Sequence, residues 1–179
     1  MGSINPDTVK FKPLYDEFQI KKRIGELGAQ ITKDLNGEHV IVVAVLKGAF
    51  IFAADLVREI KSPVIVDFIG CASYSGTTST GTVRITHDLS TDISGKNVIL
   101  VEDIVDTGRT LDYLLRILGE RRPKTLRLCA LLNKPEAREV QVKVDYHGFS
   151  IANEFVIGYG LDLDQRYREL PFIAQVQTI

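Results

Sequence analysis

The chain has 179 residues, of which 45% are hydrophobic and 25% charged, and its formal net charge at neutral pH is −1. This length and composition indicate one globular domain over residues 1–179 rather than two full domains. The charge supplies no overall attraction to nucleic acid or an anionic membrane, and no apolar run approaches the roughly 20 residues that span a bilayer, so neither is an expected partner.

Apolar residues recur on one face of residues 19–35, which predicts an amphipathic helix. The continuous apolar run at 40–46 has the length of a buried strand. The patterns that follow predict, in chain order, a helix at 49–60, strands at 64–72, 83–86 and 97–101, a helix at 110–118, and strands at 125–132, 142–146 and 155–157. Strands that are apolar throughout are buried on both faces, and here they alternate with helices. The chain is therefore predicted to be an α/β protein with a central parallel sheet flanked by helices.

Residues 73–82, SYSGTTSTGT, interrupt this pattern with small polar side chains and glycines. Such a segment has too few apolar groups to pack, so we expect an exposed loop outside the sheet. In open α/β sheets, ligands bind beyond the carboxyl ends of the strands. Functional residues are therefore expected where the predicted strands end.

The strongest signal is the segment 98–111, VILVEDIVDTGRTL. Its turn at 106–110, DTGRT, leads into a predicted helix. The start of a helix presents unpaired backbone N–H groups beside the positive end of the helix dipole, which together attract an anion. Gly108 lets the backbone approach that anion closely, and the Thr107 and Thr110 hydroxyls add donors. The turn therefore predicts a site for a phosphate monoester.

An acidic pair, Glu102 and Asp103, follows the predicted end of the preceding strand at Val101. Together with Asp106, these carboxylates would repel a phosphate unless a divalent cation lies between them. The pair is therefore interpreted as holding a sugar diol, a Mg²⁺ ion or its waters. The alternative is an acidic loop that is solvated or caps the next helix. The apolar strand before the pair and the turn after it favour the functional interpretation.

Two other phosphate-handling motifs do not match the segment. A Walker P-loop needs glycine where this chain has Asp103 and lysine where it has Arg109. A receiver-type signalling domain has an acidic pair after its first strand, whereas this pair lies past mid-chain, and the TGRT turn would have no explanation there.

Segment 98–111 resembles the phosphoribosyl diphosphate (PRPP) signature of the type I phosphoribosyltransferases: a hydrophobic strand, two acids, two apolar residues, a variable residue, then TG and a hydroxyl residue. Aspartate at the variable position, here Asp106, is typical of the hypoxanthine–guanine branch. The resemblance covers about residues 10–177. It implies the type I phosphoribosyltransferase fold, with a small hood built from the chain ends. It also implies a flexible lid at about 73–82, including Ser73 and Tyr74, that excludes water from the reaction.

Two further strand ends match blocks of the same family. Leu46-Lys47-Gly48 resembles the loop that binds pyrophosphate through backbone N–H groups, in which the peptide before the lysine is cis. Lys134 matches the lysine that donates to the exocyclic O6 of the purine. Because an ammonium has only donors, it accepts a 6-oxo group and opposes the 6-amino group of adenine.

Segment 154–162, EFVIGYGLD, resembles the family's purine-binding segment. By this resemblance, Phe155 stacks on the base, the Val156 main chain contacts its pyrimidine edge, and Asp162 binds Mg²⁺ directly or through water. Arg168 matches the arginine that contacts pyrophosphate, for which a fork of donors is well suited. Taken singly, Phe155 could instead be a core strand residue and Asp162 a helix N-cap.

The resemblance implies Mg²⁺-dependent transfer of 5-phosphoribosyl from PRPP to N9 of hypoxanthine or guanine, giving IMP or GMP and pyrophosphate. Asp106 would accept the N7 proton of the base, while the acidic pair and the turn, with Arg109, would bind PRPP. A homodimer or homotetramer is also implied. Cys71 and Cys129, the only cysteines, are too few for a disulfide framework, which favours the reducing cytoplasm. The alternative, a regulator that keeps this fold but binds nucleic acid, is disfavoured by the absence of a basic stripe.

Overall fold

The computed structural model describes residues 9–73 and 83–177, so most of the predicted lid, including Tyr74, lies outside the described residues. Within these ranges the chain forms three helices and nine strands. They are, in chain order, β1 (Lys10–Tyr15), α1 (Glu17–Leu35), β2 (Val40–Leu46), α2 (Phe50–Glu59), β3 (Val64–Ser73), β4 (Val83–His87), β5 (Asn97–Val105), α3 (Arg109–Glu120), β6 (Thr125–Asn133), β7 (Tyr146–Ser150), β8 (Val156–Ile157) and β9 (Ile173–Gln177). A short 3₁₀ turn spans Pro135–Ala137.

The larger sheet has six strands in the order β4-β3-β2-β5-β6-β7. Strands β3, β2, β5, β6 and β7 run parallel, and β4 returns antiparallel along the end of β3. The first six residues of β2 are all buried, because helices cover both faces of the sheet. The predicted α/β fold with a central, mostly parallel sheet is confirmed.

The three helices are divided between the two faces of this sheet. Helices α1 and α2 cover one face and α3 covers the other. Helix α1 begins two residues before its predicted start because Asp16 and Gln19 form a capping box: Asp16 Oδ1 accepts from the Gln19 amide at 2.8 Å, and Gln19 Oε1 accepts from the Asp16 amide at 3.0 Å. None of the helices in the described ranges is long and apolar enough to cross a membrane.

A second, three-stranded sheet joins the two ends of the chain in the order β1-β9-β8. Strand β9 pairs antiparallel with both of its neighbours. The strand predicted at 155–157 is found here as β8, outside the central sheet. Sequence patterns had indicated neither β1 nor β9, although the family resemblance implied a small unit built from the chain ends.

One predicted strand boundary and one predicted strand are wrong. Strand β5 does not end at Val101 but continues to Val105, because the parallel ladder with β6 extends to the pair Val105 and Asn133. The strand predicted at 142–146 is absent except for Tyr146, which begins β7. Val142 and Val144 nevertheless pack against the hydrophobic core, so their alternating apolar pattern reflects burial without strand pairing.

Candidate active site

The predicted site residues collect at one edge of the central sheet. Strands β2, β5 and β6 are parallel neighbours, so their carboxyl ends lie side by side. These ends deliver Lys47, the acidic pair, and Lys134 to the same edge. The placement of functional groups at adjacent strand ends therefore follows from the sheet order.

The loop after β2 lies directly against the acidic pair. The Leu46–Lys47 peptide is cis. A Cβ added at Gly48 would lie 1.7 Å from Asp103 Oδ2, and one added at Gly160 would lie 2.1 Å from the Gly48 carbonyl oxygen. Only glycine at position 48 leaves room for this carboxylate, so three distant segments meet at the loop.

Glu102 and Asp103 are buried together near the end of β5. Burial, and then the neighbouring Asp103 carboxylate, raises the pKa of Glu102 well above its ordinary value. Burial also raises the pKa of Asp103, although hydrogen bonds from Glu102 and the Ile104 amide oppose the shift. Among the described residues, Glu102 Oε2 has no hydrogen-bond partner. The pair thus lacks a full counter-charge and fits a cation or a hydroxyl-bearing ligand.

Asp162 faces an arginine. Its Oδ1 lies 2.7 Å from Arg168 Nη2, and the Arg168 Nη1 donates to the Gly160 carbonyl at 2.7 Å. The charge of Arg168 also opposes the rise in the pKa of Asp103, so this arginine lies close enough to the acidic pair to interact with it electrostatically. Across residues 9–73 and 83–177, no cluster of three or more His, Cys, Asp or Glu side chains forms a ready metal cage. Asp162 is therefore paired with a cation, and among the described residues it does not form a three-carboxylate group with the predicted metal ligands Glu102 and Asp103.

Gln165, which the sequence did not single out, joins two predicted pyrophosphate-binding groups. Its Oε1 accepts from Lys47 Nζ and from Arg168 Nη2, each at 3.2 Å. The Gln165 backbone amide donates to Asp162 Oδ2 at 2.8 Å. One neutral amide oxygen therefore holds two cations from different segments close to a single point. No local sequence feature signals this bridge.

The 106–110 turn leads into α3, as predicted. Gly108 has a φ of 86°, and α3 begins at the next residue. The Thr107 carbonyl accepts from the amides of Glu139 and Val140 at 2.9 and 3.0 Å, so the turn rests on the segment after β6. The Arg109 guanidinium pairs with the Glu139 carboxylate at 2.6 Å, and both side chains are at least half exposed.

Lys134 lies beside Asp106. Its Nζ is 3.3 Å from Asp106 Oδ2, and its backbone amide donates to the Val105 carbonyl at 2.9 Å. Only 7% of the Lys134 side chain is exposed, against 48% for Asp106. The lysine predicted to bind the purine and the aspartate predicted to accept its proton are therefore neighbours.

The purine-binding segment begins in the second sheet. Phe155 is 48% exposed, whereas Val156 is buried and pairs with Gln175 in β9. The exposed ring is available to stack on a flat ligand, and the predicted stacking on the base stays a prediction. Ser73 is the last residue of β3, at the start of the predicted lid.

An open α/β sheet with an anion-binding turn and an acidic pair at its strand ends is typical of proteins that bind phosphorylated sugars and nucleotides. The sequence profile of the phosphoribosyl transferase domain matches residues 12–164. The chain belongs to this phosphoribosyltransferase family.

Individual members of this family show which of its branches the chain resembles. The hypoxanthine phosphoribosyltransferase of Salmonella typhimurium is 52% identical over 164 residues, covering 89% of this chain and 92% of that protein. The hypoxanthine-guanine phosphoribosyltransferase of Mycobacterium avium is 49% identical over 163 residues, covering 87% and 80%. A crystal structure of a hypoxanthine-guanine phosphoribosyltransferase from Bacillus anthracis superposes with a TM-score of 0.89 at 46% identity, covering 96% of this chain and 100% of the other. The predicted family and fold are confirmed.

Proposed function

We propose that this chain is a purine-salvage enzyme that transfers 5-phosphoribosyl from PRPP to N9 of hypoxanthine or guanine, forming IMP or GMP and releasing pyrophosphate. The observation that supports it best is the 3.3 Å contact between Lys134 Nζ and Asp106 Oδ2 beside the 106–110 turn. A 6-oxopurine presents the acceptor O6 and the neighbouring N7 on one edge, where a donor and a carboxylate side by side match them. Adenine would present an amino donor to the ammonium.

In the proposed reaction, the bond from N9 to C1 of the ribose forms as the bond from C1 to the pyrophosphate oxygen breaks. Pyrophosphate leaves with the bonding electron pair, and the surplus proton on N7 passes to the Asp106 carboxylate. Backbone amides of the 106–110 turn hold the 5-phosphate, while Lys47, Gly48 and Arg168 hold the pyrophosphate. In this reaction the predicted lid at about 73–82, most of which lies outside the described residues, would close over the site and exclude water.

We also propose that the enzyme requires Mg²⁺. The buried Glu102 Oε2, which has no hydrogen-bond partner in the described part of the chain, supports a cation site at the acidic pair. Glu102, Asp103 and Asp162 would hold the ion, with the remaining ligands supplied by water and substrate, as Mg²⁺ prefers. When bound, the ion would neutralise the charge that develops on the leaving pyrophosphate.

Residues 1–179 are proposed to act as one unit, with the second sheet as a hood over the base. The exposed Phe155 ring supports this assignment, because it is free to stack on a purine. The Val156 main chain would then contact the pyrimidine edge of the base.

A cytoplasmic homodimer or homotetramer is the proposed form of the enzyme. Strand β4 pairs with β3 only from Gly70 onward, so the earlier part of β3 is an edge. Ile65, Val66 and Phe68 on this part are 49%, 44% and 38% exposed. An apolar strand edge of this kind supports association with a second copy. Light scattering of the purified protein measures the state directly.

The test is pyrophosphate release from PRPP with each purine in turn. Hypoxanthine and guanine should support turnover and adenine should not. Turnover with adenine alone, or none with any purine, would contradict the proposed substrate class.

A further inference from the structure

The segment after β6 packs against the 106–110 turn. Besides the two amides that donate to the Thr107 carbonyl, the Arg138 side chain packs against the turn. A Cβ added at Gly108 would lie 2.3 Å from the Val140 carbonyl oxygen and 3.0 Å from Arg138 Cδ. The aliphatic part of Arg138 therefore touches the turn at its tightest point.

The Arg138 guanidinium has an unusual environment. Its Nη2 donates to Asn133 Oδ1 at 2.5 Å. Its Nε and Nη1 are buried and have no hydrogen-bond partner among the described residues. Asp106 attracts the guanidinium but is itself in contact with Lys134. Burial lowers the pKa of Arg138, against the opposing effect of Asp106. A half-buried arginine whose Nε and Nη1 are buried and unpaired among the described residues therefore lies against the turn.

Arg109, which sits on the turn itself, is arranged differently. Both Nε and Nη2 contact the Glu139 carboxylate, at 2.7 and 2.6 Å. The Arg109 side chain is 62% exposed. Its charge is therefore compensated by a carboxylate and screened by solvent, which leaves little for a ligand on the turn.

We propose that Arg138, rather than Arg109, supplies the positive charge that stabilises a phosphate monoester bound on the 106–110 turn. This inference rests on the proposed function, in which the turn takes the 5-phosphate of PRPP and IMP. Arg138 acts from behind the turn as a counter-charge and positioning residue, and it touches none of the reacting atoms.

The physical reason is charge balance in a poorly solvated place. A cation whose buried donors are unpaired is costly, and that cost falls when an anion arrives nearby. A phosphate monoester brings about −1.5 to −2 charges at neutral pH. Coulomb attraction over the same distance is several times larger in a partly buried site than in water, so Arg138 should outweigh the exposed Arg109.

The experiment compares IMP with inosine, which lacks the phosphate, by isothermal titration. In Arg138→Met we expect the affinity for IMP to fall about ten- to a hundredfold, as for loss of a charged interaction, while the affinity for inosine stays unchanged. Arg138→Lys, which keeps the charge, should recover part of the loss. Arg109→Met should have the smaller effect. Arg116→Met is the matched control, because it removes a surface arginine of α3 that contacts Glu120 and the Tyr113 ring and not the turn. Steady-state kinetics should show a raised KM for PRPP with little change in the KM for hypoxanthine.

Equal IMP affinity in wild type and Arg138→Met, with both proteins folded by thermal melt, would overturn the inference. So would equal losses in Arg138→Met and Arg138→Lys, because the charge would then be irrelevant. If Arg138→Met does not fold, Arg138→Lys against Arg138→Gln decides in the same way. Titrations with IMP and inosine need no turnover. A wild-type protein that binds IMP more tightly than inosine but releases no pyrophosphate would therefore contradict the proposed function and still allow the test of Arg138.

Discussion

Lys134 Nζ and Asp106 Oδ2 lie 3.3 Å apart, although the two residues belong to different strand ends. The lysine is almost fully buried and the aspartate is half exposed. Each is therefore oriented by the other before any ligand arrives. In the proposed reaction, a purine that enters would accept from the ammonium while the carboxylate stays in place, which would link recognition of O6 to proton transfer from N7.

Lys134→Ala should raise the KM for hypoxanthine about ten- to a hundredfold while leaving PRPP binding largely intact. Loss of a hydrogen bond from a charged donor costs about 1.5–3 kcal/mol, which gives that range. Initial rates at varied base and varied PRPP measure both constants. Lys143→Ala, on a highly exposed lysine, is the control. An unchanged KM for the base would make Lys134 a purely structural residue.

Asp106→Asn should lower kcat by about 10²–10⁴, the usual contribution of a positioned general base. Asparagine keeps the size and one acceptor but cannot take the N7 proton, so both substrates should still bind. The measurement is kcat with both KM values, alongside a thermal melt. A folded variant with near-normal kcat would refute the general-base role and leave the transferase function standing.

Removal of divalent cations should abolish turnover. Glu102 and Asp103 are buried side by side, and the pyrophosphate would bring negative charge beside them, so on the proposed mechanism a cation would be required to bind substrate. Activity is measured in excess EDTA and again after Mg²⁺ or Mn²⁺ is restored. Undiminished turnover in the chelator would exclude the metal role.

Gln165→Glu should raise the KM for pyrophosphate in the reverse reaction above that of Gln165→Ala. Gln165 Oε1 already accepts hydrogen bonds from Lys47 and Arg168. A carboxylate at position 165 would form ion pairs with both cations, and an incoming anion would have to break these ion pairs. Rates of IMP pyrophosphorolysis give the two constants. The same KM in both variants would mean that this bridge does not compete with the ligand.

Asp67→Ala should lower the free energy of unfolding at neutral pH by about 1–3 kcal/mol, because buried amide donors lose their acceptor. Burial alone would raise the pKa of Asp67, but hydrogen bonds from the Phe68, Thr91 and Ser90 groups outweigh it and hold the pKa below its ordinary value. The ionised form thus stabilises the fold above the unfolded-state pKa, and that stability is lost as pH falls through the folded-state pKa. Urea unfolding should show the gap between variant and wild type narrowing in acid. A difference in the free energy of unfolding that is constant with pH would contradict the ionised role of Asp67. Asp92→Ala, which changes an exposed aspartate, is the control.

The sequence was most informative where burial and local spacing agree. The apolar run at 40–46 is strand β2, and the periodic residues of 19–35 lie in α1. It was least informative where distant segments meet. The acids at 102–103 looked like a loop, yet pairing with β6 holds them in a strand. Strands β1 and β9 are short and pair across the whole chain, so neither has a strong local pattern.

The same limit applies to the site. Residue types and order located Lys47, Lys134, Asp106 and the acidic pair, because parallel strands deliver their ends to one edge. The position of Arg109 in the turn predicts that it binds PRPP, and this stays a prediction. Its partner Glu139 lies thirty residues away, so that ion pair could not be foreseen from the sequence. Arg138 and Gln165 make their contacts only in the folded chain, so no nearby motif marks them.

The strand order has a consequence for how this protein could change. From β2 the chain moves outward to β3 through α2 on one face, and from β5 it moves the opposite way to β6 through α3 on the other. The two connections diverge, and a crevice opens between the ends of β2 and β5 whatever side chains line it. The crevice thus results from the path of the chain, whereas its chemical properties depend on the few residues at the strand ends that line it. Exchanging those residues could equip the same frame for a different phosphorylated ligand without rebuilding its core.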